Sequence, residues 1–289
     1  MTKGQALRKI LAEPGIRVTA GTYDCLGALL AQSLGYEFIF TSGFGISASN
    51  LGKPDFGYLT ATENLTAVHG IAQSVDIPVI ADLDTGYGNP LSVVRFVSEA
   101  VRVGAAGIIL EDQEWPKKCG HFDGKRVIPR QEHVEKIHAA VEARGDSGLV
   151  IVGRTDARAV NGLDDALRRA HDYAEAGADV IFVEAPQSVE ELKIVAREFP
   201  DTYLFANMIE GGKTPMLTAT ELDELGYKIV VFALAGLFAA TMAQMKALKH
   251  IRDHGTSTGL TDLLDFKGFE QVLGTARYRE QERRFVAED

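Results

Sequence analysis

The chain has 289 residues, 46% of them hydrophobic and 24% charged, with a formal net charge of −10. That composition can build a large core and excludes a disordered polymer, and an acidic balance argues against nucleic acid, which calls for a basic surface. The longest apolar runs, such as 229–240, are interrupted by glycine and fall short of a membrane span, so a small molecule is the expected partner.

The chain opens with MTKGQALRKI, which lacks the apolar segment of a secretory signal, and it holds only two cysteines, Cys25 and Cys119. A disulfide framework is excluded, and the expectation is a cytoplasmic protein with reduced thiols. Short β-branched runs then recur: RVTAG (17–21), EFIFTSG (37–43), PVIADLD (78–84), AGIILED (106–112), LVIVGRTD (149–156), DVIFVEAP (179–186), TYLFANM (202–208) and KIVVFALA (228–235). A helical pattern follows each, as in strand-helix units around a parallel sheet. The spacing predicts helices over Leu91–Val103, Leu163–Ala176 and Thr218–Leu225, stopped by Gly104, Gly177 and Gly226.

Eight such units fit a closed (β/α)8 barrel, read as one domain over 1–289, better than an open doubly wound sheet. The open sheet would bring a GxGxxG turn after its first strand, and AGTYDCLG is not one. GGKT at 211–214 lacks the spacing of a phosphate-binding loop. A long apolar helix, Leu237–Arg252, and a charged helical tail over 260–289 follow the last strand. The tail reads either as a solvated flank packed on the barrel or as an oligomer contact.

In such a barrel the reactive groups gather where strands finish. Here the strands end in Thr41-Ser42-Gly43, Asp82-Leu83-Asp84, Glu111-Asp112, Arg154-Thr155-Asp156, Glu184 and Asn207, all expected on one rim. Asp82 and Asp84 are two apart and would face the same side of a strand. With Glu111 they form an acidic cluster that repels itself unless a cation intervenes. Hard oxygen donors without a histidine or thiolate pair point to Mg²⁺, or equally Mn²⁺, held partly through water. Arg154 offers a planar fork to a substrate carboxylate, or pairs structurally with Glu184 or Asp156. Ser42, the Gly43 amide and Asn207 could donate further hydrogen bonds.

The stretch WPKKCGHFDGK (115–125) holds Cys119 among Lys117, Lys118 and His121. Nearby positive charge lowers a thiol pKa, so this cysteine is expected to work near neutral pH. With a metal cluster already offering charge stabilisation, proton transfer fits better than nucleophilic attack. Cys25, at a helix start, reads as inert.

KKCGH (117–121), with EDQ (111–113), DLDTGYGN (82–89), SGFGISASNLGKPDFG (42–57), GRTDA (153–157), VEAP (183–186) and NMIEGGKTP (207–215), resembles the isocitrate lyase and phosphoenolpyruvate mutase superfamily over nearly the whole chain. Within it, KKCGH marks carbon-carbon lyases of the 2-methylisocitrate lyase, 2,3-dimethylmalate lyase and petal death protein group. The resemblance implies a Mg²⁺-dependent barrel enzyme whose last helix is exchanged between subunits, usually in a homotetramer. By motif, Asp84 would contact the metal directly and Asp82 and Glu111 through water. Ser42, Gly43, Arg154 and Asn207 would hold the 2-oxo or 2-hydroxy acid portion, and Gly120 and His121 the other carboxylate. Phe44, Asp55 and Lys117 match positions beside the substrate, and Glu184 one at or behind its hydroxyl. Cys119 would exchange a proton with the carbanion carbon.

Three positions depart from the isocitrate and methylisocitrate lyase pattern: Phe40 replaces a tyrosine, Ile209 a threonine, and FALAG (232–236) a strand with proline and a hydroxyl residue. They favour a smaller or more apolar substrate, such as an alkylated malate or oxaloacetate. Carboxyphosphonoenolpyruvate mutases carry a similar cysteine loop, so phosphorus-carbon chemistry is the rival within enzymes. A catalytically idle ligand-binding barrel is the rival outside them.

Overall fold

The computed structural model describes residues 1–285. Helix α1 (Lys3–Ala12) leads into β1 (Arg17–Thr22), α2 (Cys25–Ser33), β2 (Ile39–Thr41), α3 (Gly43–Ile46) and, after a wide helical turn at Ser47–Leu51, α4 (Ala61–Ser74). There follow β3 (Val79–Asp82), α5 (Pro90–Val103), β4 (Gly107–Glu111), α6 (Arg130–Arg144), β5 (Val150–Thr155), α7 (Ala157–Asn161) and α8 (Leu163–Glu175). The round closes with β6 (Val180–Val183), α9 (Val189–Glu198), β7 (Tyr203–Asn207), α10 (Ala219–Leu225) and β8 (Ile229–Phe232), and the chain continues into α11 (Ala235–His254), α12 (Phe266–Leu273) and α13 (Thr275–Arg283). The eight strands form a closed parallel barrel in sequence order, β8 returning to pair with β1 through Arg17 opposite Ile229.

All eight expected strands are present; β1 runs one residue past its expected end, to Thr22, and the other seven stop short of theirs, where the chain turns into the mouth. The expected helix stops hold at Gly104 and Gly226, with φ of 102° and 98°. In α8 the cap is Ala176, and Gly177 takes the left-handed turn one residue later, at φ 102°. The expected charged helical tail takes the form of α12 and α13; its residues 286–289 lie outside the described residues.

A strand turns successive side chains to opposite faces, and this alternation sorts the barrel. Phe38 and Phe40, Ile80, Ile109, Val150 and Val152, Val180 and Phe182, Phe205, Ile229 and Val231 fill the interior, joined at the bottom by Leu7 and Leu11 of α1. Their neighbours Ala81, Ile108, Leu110, Ile151, Ile181, Val183, Leu204 and Val230 face the helices in a second apolar layer. Continued one step beyond the interior hydrophobics, the same parity brings Ser42, Asp82, Glu111, Arg154, Glu184 and Asn207 inward at the top.

The rule also corrects the expectation for Asp112 and for Thr155, whose hydroxyl bonds it behind the mouth. Asp112 does not line the rim: it is fully buried on the outer side, where it accepts from the Thr155 hydroxyl (2.8 Å), the Asp156 amide (2.8 Å), the Tyr173 hydroxyl (2.8 Å) and Arg169 (3.1 Å). This knot ties β4, β5 and α8 together behind the mouth. Asp112→Ala strands a buried guanidinium and phenol and should cost about 3 kcal/mol. Denaturant titration reads this as a lowered midpoint; an unchanged midpoint would mean the knot carries no stability.

Candidate active site

Charged groups crowd the barrel mouth. Asp55, Asp82, Asp84, Glu111, Asp156 and Glu184 are each less than a tenth exposed, as are Lys117, Lys125 and Arg154. Six carboxyl groups thus face three cationic side chains in a space nearly shut from water. Arg154 sits at the centre: it meets Asp156 at 2.9 and 3.1 Å, Glu111 at 3.2 Å and Glu184 at 3.3 Å, with its guanidinium 5.2 Å from the Phe182 ring centre. Both readings left open for Arg154 stay available, since it makes these ion pairs and still lines the cavity. Lys117 bridges Asp55 (2.8 Å) and Asp84 (2.6 Å).

Asp82 and Asp84 come together, though not by strand parity. The strand stops at Asp82, and Asp84 takes a left-handed conformation with φ 49° while its amide donates to the Asp82 carboxylate at 3.0 Å. Both carboxylates close on Gly43, where a Cβ would stand 3.1 Å from Asp82 Oδ2 and 3.5 Å from Asp84 Oδ1. Asn64, buried on α4, holds the Asp82 carbonyl (2.6 Å) and Tyr87 (2.8 Å), which in turn donates to Asp84 (3.1 Å).

The donor set fits a hard cation. Burial, with Asp82 and Asp55 adding to it, pushes the Asp84 carboxyl up to about 7 against the pull of Lys117. Burial likewise raises Glu111 well above the carboxylate range against the pull of Arg154, and its Oε1 has no hydrogen-bond partner. Surplus buried acid with an unpartnered oxygen is what a divalent ion relieves. Among the described residues no three His, Cys, Asp or Glu side chains converge as a direct ligand set, so these carboxylates suit an ion taken by one of them and reached by the others through water.

Cys119 rides the loop between β4 and α6. An antiparallel bridge between Gln113 and Val127 pins the base of that loop, and the Gln113 side chain clamps both the amide (3.0 Å) and the carbonyl (2.7 Å) of Lys118. The Cys119 amide donates to the Asp55 carbonyl at 3.1 Å, and Phe122 packs edge-on against Phe44 and Phe56. Gly120 passes so close to Arg154 and Glu184 that a Cβ would stand 2.5 Å from the guanidinium. The loop is therefore shut, and one cavity is lined by Ser42, Phe44, Asp55, Asp82, Lys117, Cys119, Gly120, His121, Arg154, Glu184 and Asn207. The remaining expected site residues, Gly43, Asp84 and Glu111, stand just behind that surface, Asp84 covered by Lys117 and Glu111 by Arg154.

The expected lowering of the thiol pKa does not occur. Burial, reinforced by the Asp55 and Glu184 carboxylates, pushes the Cys119 thiol up to about 11, against a hydrogen bond from the His121 amide and the charge of Lys117. Lys117 is committed to two aspartates, and Lys118 points away to the Asp123 and Gly124 carbonyls. Glu184 goes the other way: burial raises it, but Arg154 and the His121 ring, its Nε2 2.9 Å away, outweigh that and leave it below the usual carboxylate range.

Sequence reasoning passed over Lys125 and Asn64. Lys125 is buried, pairs with Asp156 at 2.7 Å and also holds the Gly120 carbonyl, so it anchors the thiol loop to the partner of Arg154. A lone loop lysine carries no sequence signal for that. Asn64 does have one, as a polar residue within the buried stripe Ala61, Leu65, Val68 and Ile71.

With this geometry in view, comparison with known proteins places the chain: residues 7–252 match the phosphoenolpyruvate phosphomutase family. The chain belongs to that family. It is 40% identical over 287 residues to the 2,3-dimethylmalate lyase of Eubacterium barkeri, covering 99% of both chains. It is 44% identical over 282 residues to the chloroplastic carboxyvinyl-carboxyphosphonate phosphorylmutase of Arabidopsis thaliana, covering 96% of this chain and 83% of the relative. Among solved structures, phosphonopyruvate hydrolase in complex with oxalate and Mg²⁺ aligns with a TM-score of 0.88 and 31% identity over 99% of this chain and 100% of the other. The expected superfamily is thus shown, and with it the barrel.

A thiol of pKa about 11 is almost wholly protonated at neutral pH, whereas the exposed Cys25 lies open to solvent. Alkylation by iodoacetamide at pH 7.5 should therefore label Cys25 about 100-fold faster than Cys119. Peptide mass spectrometry over a time course measures both rates, and equal rates would contradict the buried, protonated thiol.

Proposed function

We propose that the chain is a Mg²⁺-dependent carbon-carbon lyase that cleaves a 2-hydroxy diacid of the alkylmalate type to a 2-oxo acid and a carboxylate. The observation that carries this reading is a neutral, buried thiol opening on the same cavity as Arg154 and the acid cluster. The 2,3-dimethylmalate lyase likeness over the full chain supports it. The alternatives 2-methylisocitrate and oxaloacetate use the same parts.

Asp84 would hold the ion directly, with Asp82 and Glu111 acting through water; Mn²⁺ would suit the same oxygens. When bound, the ion supplies positive charge for the oxygens of the 2-oxo acid. Arg154, Asn207, Ser42 and the Gly43 amide hold that portion of the substrate. Lys117, Asp55, Phe44, His121 and the Gly120 amide bound the other half. Glu184, ionised and in the cavity, accepts the hydroxyl proton as the bond between C2 and C3 breaks. The electron pair passes to C3, next to the second carboxylate, and Cys119 delivers its proton there. A thiol serves this step because it arrives protonated, and the shut loop keeps water from competing as donor.

The cavity also bears on substrate. Its cations, Lys117 and Arg154, are already bound to carboxylates, and the rest of its wall includes Phe40, Phe182, Phe205, Ile209, Val231, Ala233 and Leu234. Such a wall suits an alkyl group better than a third carboxylate or a phosphonate dianion. The intact thiol and acid cluster speak against an idle barrel.

The reading extends to assembly and setting. We take 1–289 as one domain of a cytoplasmic enzyme, and no helix among the described residues is long and apolar enough to cross a membrane. Helices α11, α12 and α13 contain no buried residue, and α11 exposes Phe238, Met242, Met245, Leu248 and Ile251 along one stripe. A second copy exchanging this helix, in a homotetramer, would cover it.

Purified protein with Mg²⁺ should cleave 2,3-dimethylmalate with a kcat/KM about tenfold above that for 2-methylisocitrate, roughly the worth of one misplaced polar group. Equal or better turnover of 2-methylisocitrate rejects the apolar preference, and a phosphonate substrate processed in its place rejects the lyase. Chelation should abolish turnover and added Mg²⁺ restore it. Cys119→Ser should lower kcat about 10²- to 10⁴-fold, the usual worth of a positioned proton donor; undiminished turnover would remove Cys119 from the mechanism.

A further inference from the structure

We propose that the Gly212-Lys213 turn, on the loop after β7, fixes the tautomer of His121 and through it the orientation of Glu184. This rests on the lyase reading only in taking Glu184 as a working group of that site. The Lys213 backbone amide donates to His121 Nδ1 at 2.9 Å. A backbone amide can only donate, so Nδ1 presents its lone pair, and the proton of a neutral imidazole is then on Nε2. Nε2 stands 2.9 Å from Glu184 Oε1, and an ionised carboxylate can only accept. The amide bond thus sets the tautomer, and the nitrogen left carrying the proton is the one 2.9 Å from the carboxylate. The two contacts run in one direction, from amide to ring to carboxylate.

The consequence is a fixed Glu184. One of its oxygens lies 2.9 Å from His121 Nε2 and the other 3.3 Å from Arg154, so turning the carboxylate plane gives up one of these charge contacts. Without the protonated Nε2 beside it, the carboxylate is drawn toward the guanidinium and away from the substrate hydroxyl. The turn reaches the ring only because residue 212 has no side chain: a Cβ there would stand 2.6 Å from His121 Nδ1, 2.8 Å from Cε1 and 3.0 Å from the Ile209 carbonyl. Gly212 and the Lys213 amide are thus positioning elements supplied by a different strand end from the one that carries the thiol. A second link between the two loops, the Lys213 ammonium to Asp123 at 2.6 Å, lies at the exposed rim. It serves as a control, since it joins the same loops without touching ring or carboxylate.

The tautomer can be read without substrate, from two-bond proton-nitrogen correlations of ¹⁵N-histidine-labelled protein, His121 being assigned by the signal lost in a His121→Gln variant. The Nε2-protonated form is expected; the Nδ1-protonated form overturns the proposal whatever the enzyme turns over, and absence of lyase turnover would strike the lyase reading alone. Gly212→Ala should disturb that signal and lower kcat about 10- to 100-fold, the range for partners that orient a working group, with KM within about threefold and the melting midpoint little changed. Asp123→Ala should match the wild type. His121→Asn, too short to reach Glu184, should lose about tenfold more kcat than His121→Gln, whose amide can still reach it. Wild-type kcat in Gly212→Ala, an Asp123→Ala loss as large as that of Gly212→Ala, or equal losses in the two His121 variants would each overturn it.

Discussion

The mouth of this barrel depends on one guanidinium. Arg154 stands among Glu111, Asp156 and Glu184, all buried, and among the described residues no other cation pairs with Glu111. A carboxylate taken out of water is tolerable only when paired and hydrogen-bonded. Removing the guanidinium would strand Glu111 and leave Asp156 to Lys125 and Glu184 to His121. Because the charge also faces the cavity, the group that makes the acids bearable is the one that meets the ligand. Binding and stability are therefore coupled at this residue, and a lysine there, with its single point of charge, could not hold three partners in a plane.

Arg154 in turn governs the loop carrying Cys119. Asp156 takes two bonds from Arg154 and one from Lys125, and Lys125 holds the Gly120 carbonyl beside the thiol. The thiol's position thus traces back through Lys125 and Asp156 to the strand that holds the arginine. Its protonation traces to the same crowding, since neighbouring carboxylates and burial both disfavour a thiolate. A shut loop and a protonated donor are two results of one arrangement.

Much of this was legible in the chain. Eight β-branched runs with their glycine stops foretold the barrel, because burial on both faces of a parallel sheet leaves a strong apolar signal. The polar strand ends located the mouth: Ser42, Asp82, Glu111, Arg154, Glu184 and Asn207 came to it, while Asp112 and Thr155, which bond each other, face away. What the chain could not convey was direction: Glu111 and Asp112 are neighbours of like chemistry, and only strand parity sends one inward and the other to Arg169 and Tyr173. The thiol's acidity was misjudged for a related reason, since charges close in sequence were aimed elsewhere in space. Lys118 lies next to Cys119 in the chain yet points to solvent-side carbonyls, while Asp55 and Glu184, distant in sequence, set the thiol's environment.

Helix α1 gives the barrel a further property. Leu7 and Leu11 fill its N-terminal end, enclosed beneath the aromatic layer of Phe40, Phe182 and Phe205. The vessel is blind at that end, with a single doorway at the other. Whatever enters past the thiol must depart the same way, so two fragments formed inside would leave in sequence, the one nearer the doorway first, and the inner one would wait upon its exit.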